Sequence, residues 1–127
     1  MPALEPVEAW RVVATPAALD AARWKGEGVD VVRIAADEAL GLGAIGVEVA
    51  DDDAIIESEA GFSVALLERM DLATVEAHTE WPLPRDDGTI AQGKIAGVPA
   101  KLRVGAPTLL VVQTAHADEL ERRLGWR

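Results

Sequence analysis

Between Ile90 and Thr114 the chain reads Ile-Ala-Gln-Gly-Lys-Ile-Ala-Gly-Val-Pro-Ala-Lys-Leu-Arg-Val-Gly-Ala-Pro-Thr-Leu-Leu-Val-Val-Gln-Thr, and no other stretch narrows the possible folds as much. Gly97, Val98 and Pro99 separate a first strand from a second, and Gly105, Ala106 and Pro107 separate the second from a third, because Gly and Pro supply turn dihedrals that a strand ladder does not use. Lys101 and Arg103 alternate with Leu102 and Val104, the pattern of a strand with one wet face. Leu109 to Val112 are continuously apolar, the pattern of a strand covered on both faces. The expectation is a short antiparallel meander with part of a core at its third strand.

The remaining segments supply more strands and a few helices. Val7 to Ala14 has the composition of a first strand. Thr15-Pro16 then predicts a helix over Pro16 to Lys25, with Thr15 as the cap whose hydroxyl accepts an orphan N–H and Pro16 at the first position, where no donor is missed. Gly26 supplies its left-handed exit. Val29 to Ile34 reads as a strand, Asp37 to Leu40 as one capped helical turn, and Val47-Glu48-Val49 as a half-exposed strand ended by Asp51, Asp52 and Asp53. Ala54 to Glu57 and Phe62 to Leu67 read as two strand segments separated by Ser58 to Gly61. Leu72, Val75, His78 and Thr79 recur at helical spacing, which predicts a helix over Asp71 to Trp81 capped by Asp71 and stopped by Pro82. Thr114 is the expected cap of a last helix over Ala115 to Leu124, with Leu120 and Leu124 on one face and Gly125 as its end. Strands interrupted by helices, with a meander near the end, predict an α+β fold: an antiparallel or mixed sheet with two to three helices packed on one face, in a single domain over residues 1–127.

Composition excludes several functions. There are no cysteines among the 127 residues, so disulfides, thiolate nucleophiles and thiolate zinc sites are absent together. A formal charge of −10 opposes a phosphate backbone, and nucleic acid is not an expected partner. No apolar run reaches the roughly 20 residues of a spanning helix, and Met1 to Trp10 lacks a basic start and an apolar signal core. The expectation is a cytoplasmic protein with no membrane partner.

Candidate chemistry is sparse. Gly41-Leu42-Gly43-Ala44-Ile45-Gly46 has the Gly-x-Gly-x-x-Gly spacing of dinucleotide sites, but that motif works only where a strand precedes it and a helix opens at its end to meet a pyrophosphate. Here the following Val47-Glu48-Val49 is strand-like, and a turn is expected. Asp51 to Asp53, with Glu48 and Glu57, lacks the ligand spacing of a calcium loop, and Asp86-Asp87-Gly88 is a turn signal. His78 and His116 are the only histidines and share no metal-ligand spacing. Ser63, in Gly61-Phe62-Ser63-Val64-Ala65, falls one residue short of a nucleophile elbow and lies inside a strand pattern. Trp10, Trp24, Trp81 and Trp126 are expected as anchors at the rim of the sheet; the alternative is a stacking wall for a flat ligand. No catalytic residue, no metal ligand and no cofactor is expected from these patterns.

One resemblance stands beside this. The run Ile90 to Ala100, then Leu109-Leu110-Val111-Val112, then the helix carrying Ala117-Asp118-Glu119-Leu120, resembles the corresponding part of the sarcosine oxidase gamma subunit family, within the folate-binding-domain superfamily of the glycine-cleavage T-protein. Arg33 to Leu40 is similar to that family's "r-l-a-p-D-e" turn, and Glu59 to Val64 to its "d-v-t-s-g-w" strand. Glu57-Ser58-Glu59 departs from the family's Asp-Val-Ser or Asp-Val-Thr, and no folate-contacting residue is matched. The resemblance implies a folate-binding-domain-like fold and a non-catalytic accessory role, in which the chain binds a flavoprotein partner subunit or a small folate-like ligand. The alternative from the residues alone is a self-associating domain, in its simplest form a two-fold homodimer through the last meander strand or the C-terminal helix.

Overall fold

The computed structural model describes residues 2–127. In chain order these form β1 (Glu5–Val13), α1 (Pro16–Asp20), β2 (Arg23–Lys25), β3 (Asp30–Ala35), β4 (Glu38–Leu42), β5 (Gly46–Glu48), β6 (Ile55–Leu67), α2 (Arg69–Ala77), β7 (Ile90–Ile95), β8 (Val98–Arg103), β9 (Thr108–Gln113) and α3 (Thr114–Arg123). Seven strands hydrogen-bond in the order β3-β4-β1-β6-β9-β8-β7, and β2 pairs separately with β5. With three short helices this is an α+β fold built on an antiparallel sheet. Residue contacts gather into two compact units, Val7–Ala60 and Gly61–Arg127, the latter joined by the segment that ends at Pro6.

The second unit contains the meander expected from Ile90 to Thr114. Strand β7 runs antiparallel to β8 from Ile90↔Arg103 to Ile95↔Val98, β8 to β9 from Arg103↔Leu109 to Ala100↔Val112, and β9 to β6 from Phe62↔Gln113 to Leu67↔Thr108. Alternation then sorts the side chains. Ala65, Leu67, Ile95, Val98, Ala100, Leu102, Leu110 and Val112 point to one face and are buried there with Val75 of α2 and Ala117 and Leu120 of α3. Two helices therefore cover one face of this part of the sheet. Leu124 and Trp126, beyond the end of α3, close the same core, and Gly125 adopts φ +76° to let the chain turn back. The first break falls at Ala96-Gly97, both at positive φ, so Val98 and Pro99 belong to β8 rather than to the turn.

Around α1 the first unit has a small buried cluster of Val12, Ala14, Ala18, Leu19 and Ala39, with Trp24, Val47, Val49 and Ala54 packed against it, and Val32, Leu40 and Leu42 of β3 and β4 are buried as well. Thr15 caps α1 as expected, its Oγ1 accepting the Ala18 N–H at 3.3 Å. The helix stops at Asp20, however, and Arg23–Lys25 is a strand whose Trp24 faces Val47 of β5. The expected helix to Lys25 is overturned because pairing with β5 and burial of the indole outweigh a helix propensity that differs little among these residues. Asp37 to Leu40 is likewise not helical. Ala36 and Asp37 form the turn of a hairpin, and Glu38–Leu42 is β4, with Ala39 and Leu40 both buried between β3 and β1.

Three further differences concern where elements begin and end. Ser58 to Gly61 does not interrupt β6, which runs 13 residues, because nothing there forbids extended backbone and Gly61 keeps a negative φ. The helix expected from Asp71 begins at Arg69, and Asp71 occupies its third position, where Oδ2 accepts the Glu68 N–H at 2.9 Å. It ends at Ala77, where Thr79 Oγ1 donates to the Val75 carbonyl at 2.6 Å. Gln113, not Thr114, is the N-cap of α3, and the Thr114 hydroxyl instead lies 2.9 Å from Ser63 Oγ.

Candidate functional site

The residues singled out by sequence have structural employment. Gly41 lies in β4 and Gly46 in β5, and the next element is the strand β6, so no helix opens at the end of the Gly-x-Gly-x-x-Gly turn. Gly41 is small for another reason: a Cβ there would overlap the Trp24 indole. Gly43, at φ +83°, gives its N–H to the Glu8 carbonyl at 2.6 Å. Asp51 is a connector, its carboxylate accepting the Thr15 N–H and the Asp53 N–H, each at 3.0 Å. Among the described residues no group of three His, Cys, Asp or Glu side chains is gathered closely enough to hold a metal ion.

Neither histidine stands beside a nucleophile. His78 Nδ1 lies 2.9 Å from the Thr74 carbonyl, and His116 is half-buried in the first turn of α3. Ser63 is fully buried in β6 against Thr114. Arg11 is held in its charged form by a 2.8 Å bond from Nε to Glu38, with Glu57 at 3.5 Å from the other side of the guanidinium; its pKa is raised, first by the hydrogen bond and then by the charge of Glu38. That constellation is a cross-strand clasp. It presents neither a free base nor a nucleophile.

The tryptophans divide. Trp126 is a core residue, whereas Trp24 and Trp81 each lie on a strand glycine. A Cβ at Gly93 of β7 would come within 2.8–2.9 Å of the Trp81 ring, and Trp81 Nε1 donates to the Lys94 carbonyl at 2.8 Å. The anchor expectation describes these contacts; the glycine seats beneath them were missed. An isolated glycine in a strand pattern is the signal for close approach, and here Gly41 and Gly93 each carried it.

The concave feature that sequence reasoning missed lies in the second unit, where β6 passes into α2. A trough of about 660 Å³ is lined by Leu66, Leu67, Leu72, Ala106 and Pro107. It adjoins a second hollow of about 460 Å³ bordered by Leu72, Leu83, Pro84 and Val104, and Arg69 and Gly105 line both. The wall formed by the β8–β9 turn is closed by Thr108, whose Oγ1 accepts the Gly105 N–H at 3.3 Å and donates to the Gly105 carbonyl at 3.0 Å. The exposed Glu68 and Arg69 bring charge to its wall, and two large apolar side chains of the same stretch also meet solvent: Leu66, in the wall, is 59 % exposed, and Met70, next to Arg69 on the first turn of α2, 75 %. Arg85 pairs with Glu76 at 3.3 Å at the far end. No signal in the sequence joins Leu66 to Pro107, since only the pairing of β6 with β9 brings them together.

No family model matches the chain, and no curated protein shows significant similarity to it. Among the described residues no helix is long and apolar enough to cross a membrane.

Proposed function

We propose that the chain is a non-catalytic accessory module, similar to sarcosine oxidase gamma subunits, that docks a flavin-bearing partner subunit against the trough beside α2. The observation that carries this is the coincidence of a largely apolar trough with two exposed large apolar side chains, Leu66 in its wall and Met70 next in sequence to the lining residue Arg69. Covering such side chains is worth about 1.5–3 kcal/mol each, so a partner that buries them gains binding free energy in addition to any contact it makes with Glu68 and Arg69 in the wall. Isolated exposed leucines need no explanation, whereas apolar residues grouped at a concavity mark interaction sites. The strand order also bears on the self-association alternative. Strand β9 is hydrogen-bonded on both sides, by β8 and β6, so the last meander strand has no open edge to offer a second copy.

A folate-like small molecule is the competing occupant, favoured by a volume within the roughly 300–1,000 Å³ range of small-ligand pockets. Co-expression with the flavin-bearing subunit of a heteromeric sarcosine oxidase, followed by mass measurement in solution, separates the two. A stable complex that is lost on replacing Leu66 and Met70 with Glu supports docking. Failure to form any complex, together with a raised unfolding midpoint in tetrahydrofolate, transfers the trough to a small ligand; a ligand at about 100 times its Kd adds roughly 2.7 kcal/mol. Homodimers that survive the double substitution overturn both.

A further inference from the structure

We infer that the outward face of β7 and β8, opposite the helix-covered core, is a binding site for a small aryl anion, a flat aromatic ring carrying a carboxylate or a phosphate. The charge distribution sets this face apart. In a chain of net charge −10, the stretch from Thr89 to Ala117 contains no Asp and no Glu, while it contains Lys94, Lys101 and Arg103. The register places Lys101 opposite Gln92 and Lys94 opposite Pro99. Lys94 and Lys101 are therefore diagonal neighbours on adjacent strands, about 7–8 Å apart at the backbone, on the face away from Ile95, Ala100 and Leu102.

Two like charges so placed repel, and no carboxylate is paired with either ammonium among the described residues. Lys101 Nζ instead lies 5.5 Å from the ring centroid of Phe62, the only phenylalanine in the chain. Beneath these groups is a hollow of about 330 Å³ lined by Phe62, Gln92, Lys94, Pro99, Lys101 and Gln113, with no acidic residue in its wall. An anion between the two ammonium groups relieves their repulsion and forms charge-assisted hydrogen bonds. Phe62 and Pro99 supply flat apolar surface for a ring, and the Gln113 amide supplies a donor and an acceptor at its edge. None of the residues that line this hollow lines the trough beside α2 or its neighbour, so the two sites are distinct.

The test is titration of the labelled full chain, followed by amide chemical shifts, with 2-naphthoate, 2-naphthyl phosphate, inorganic phosphate and neutral 2-naphthalenemethanol as probes. Site occupancy moves the amides of Gln92, Lys101 and Gln113 with an aryl anion, and the affinity falls as ionic strength rises. The stronger of the carboxylate and phosphate arms identifies the anionic group. Lys94→Gln with Lys101→Gln weakens the aryl anion about tenfold or more, as expected for loss of charge-assisted bonds, while the unfolding midpoint reports that the fold is kept. Phe62→Leu weakens the aryl anions and leaves inorganic phosphate unchanged. Equal binding of the neutral probe, indifference to the double Lys substitution, or unmoved amides at millimolar probe overturns the assignment.

Discussion

Each of the two units seats a tryptophan on a strand glycine, yet the cores beneath these seats differ. In the second unit Trp81 covers Gly93 over a core of large side chains, Leu67, Ile95, Leu102, Leu110 and Leu120, closed by two helices. In the first unit Trp24 covers Gly41 over Val12, Ala14, Ala18, Leu19 and Ala39, and the one helix is 5 residues long. Small side chains bury little area each, so the cluster around α1 depends more heavily on its indole, although Val32, Leu40 and Leu42 are buried elsewhere in the unit. Trp81, by contrast, has a second task. Strand β7 ends the sheet order, and its open edge is occupied by the Trp81 bond to the Lys94 carbonyl and by the 2.8 Å bond from the Ala96 N–H to the His78 carbonyl. An edge covered in this way is withheld from strand addition. The same residue type thus fills a core in one unit and closes an edge in the other.

This contrast predicts a graded series of destabilisation. The largest effect belongs to Leu120→Ala, which empties a fully buried site in the second unit and should cost about 3 kcal/mol by denaturant unfolding. Leu19→Ala in the first unit should cost less, because its small neighbours leave less contact to lose; equal losses would refute the claim of a shallower cluster around α1. Next comes Gly41→Ala, expected to cost about 2 kcal/mol, since the new Cβ and the Trp24 ring need the same space. A Trp24→Ala background should abolish most of that loss, and additivity in the double mutant would separate the glycine from the indole.

Smaller effects sharpen the same comparison. Thr15→Ala removes the cap of α1 and should lower stability by about 1 kcal/mol. Trp81→Phe keeps a ring on Gly93 but deletes the Nε1 bond, and should cost only about 0.5 kcal/mol because water reaches the freed Lys94 carbonyl. Its informative readout is solution mass against concentration: association in the variant and not in the parent supports the edge-closing task, and a monomeric variant argues that the remaining Ala96 bond suffices.

Much of the fold was legible before any coordinates. The meander from β7 to β9, the Thr15-Pro16 helix start and the Gly125 stop all follow from residues that restrict their own backbone. The failures fall where the deciding partner is remote in sequence. Asp37 to Leu40 has helical composition and becomes β4 because β1 and β3 claim it on both sides. Trp24 leaves the expected helix because Gly41 offers it a seat. Thr114 gives up the cap because its hydroxyl finds Ser63, 51 residues away. The trough beside α2 was illegible for the same reason, being assembled from the ends of β6 and β9.

What the sequence determined by itself was where the backbone must turn and which strands are wet on one side, since glycine, proline, capping threonine and period-two alternation act through local dihedrals and solvent. Tertiary structure alone decided which neighbours fill the spaces so left: the indoles on Gly41 and Gly93, the hydroxyl pair of Ser63 and Thr114, and the acid-free hollow around Lys94 and Lys101. Those choices depend on burial and hydrogen bonding between residues far apart along the chain, and no local preference encodes them.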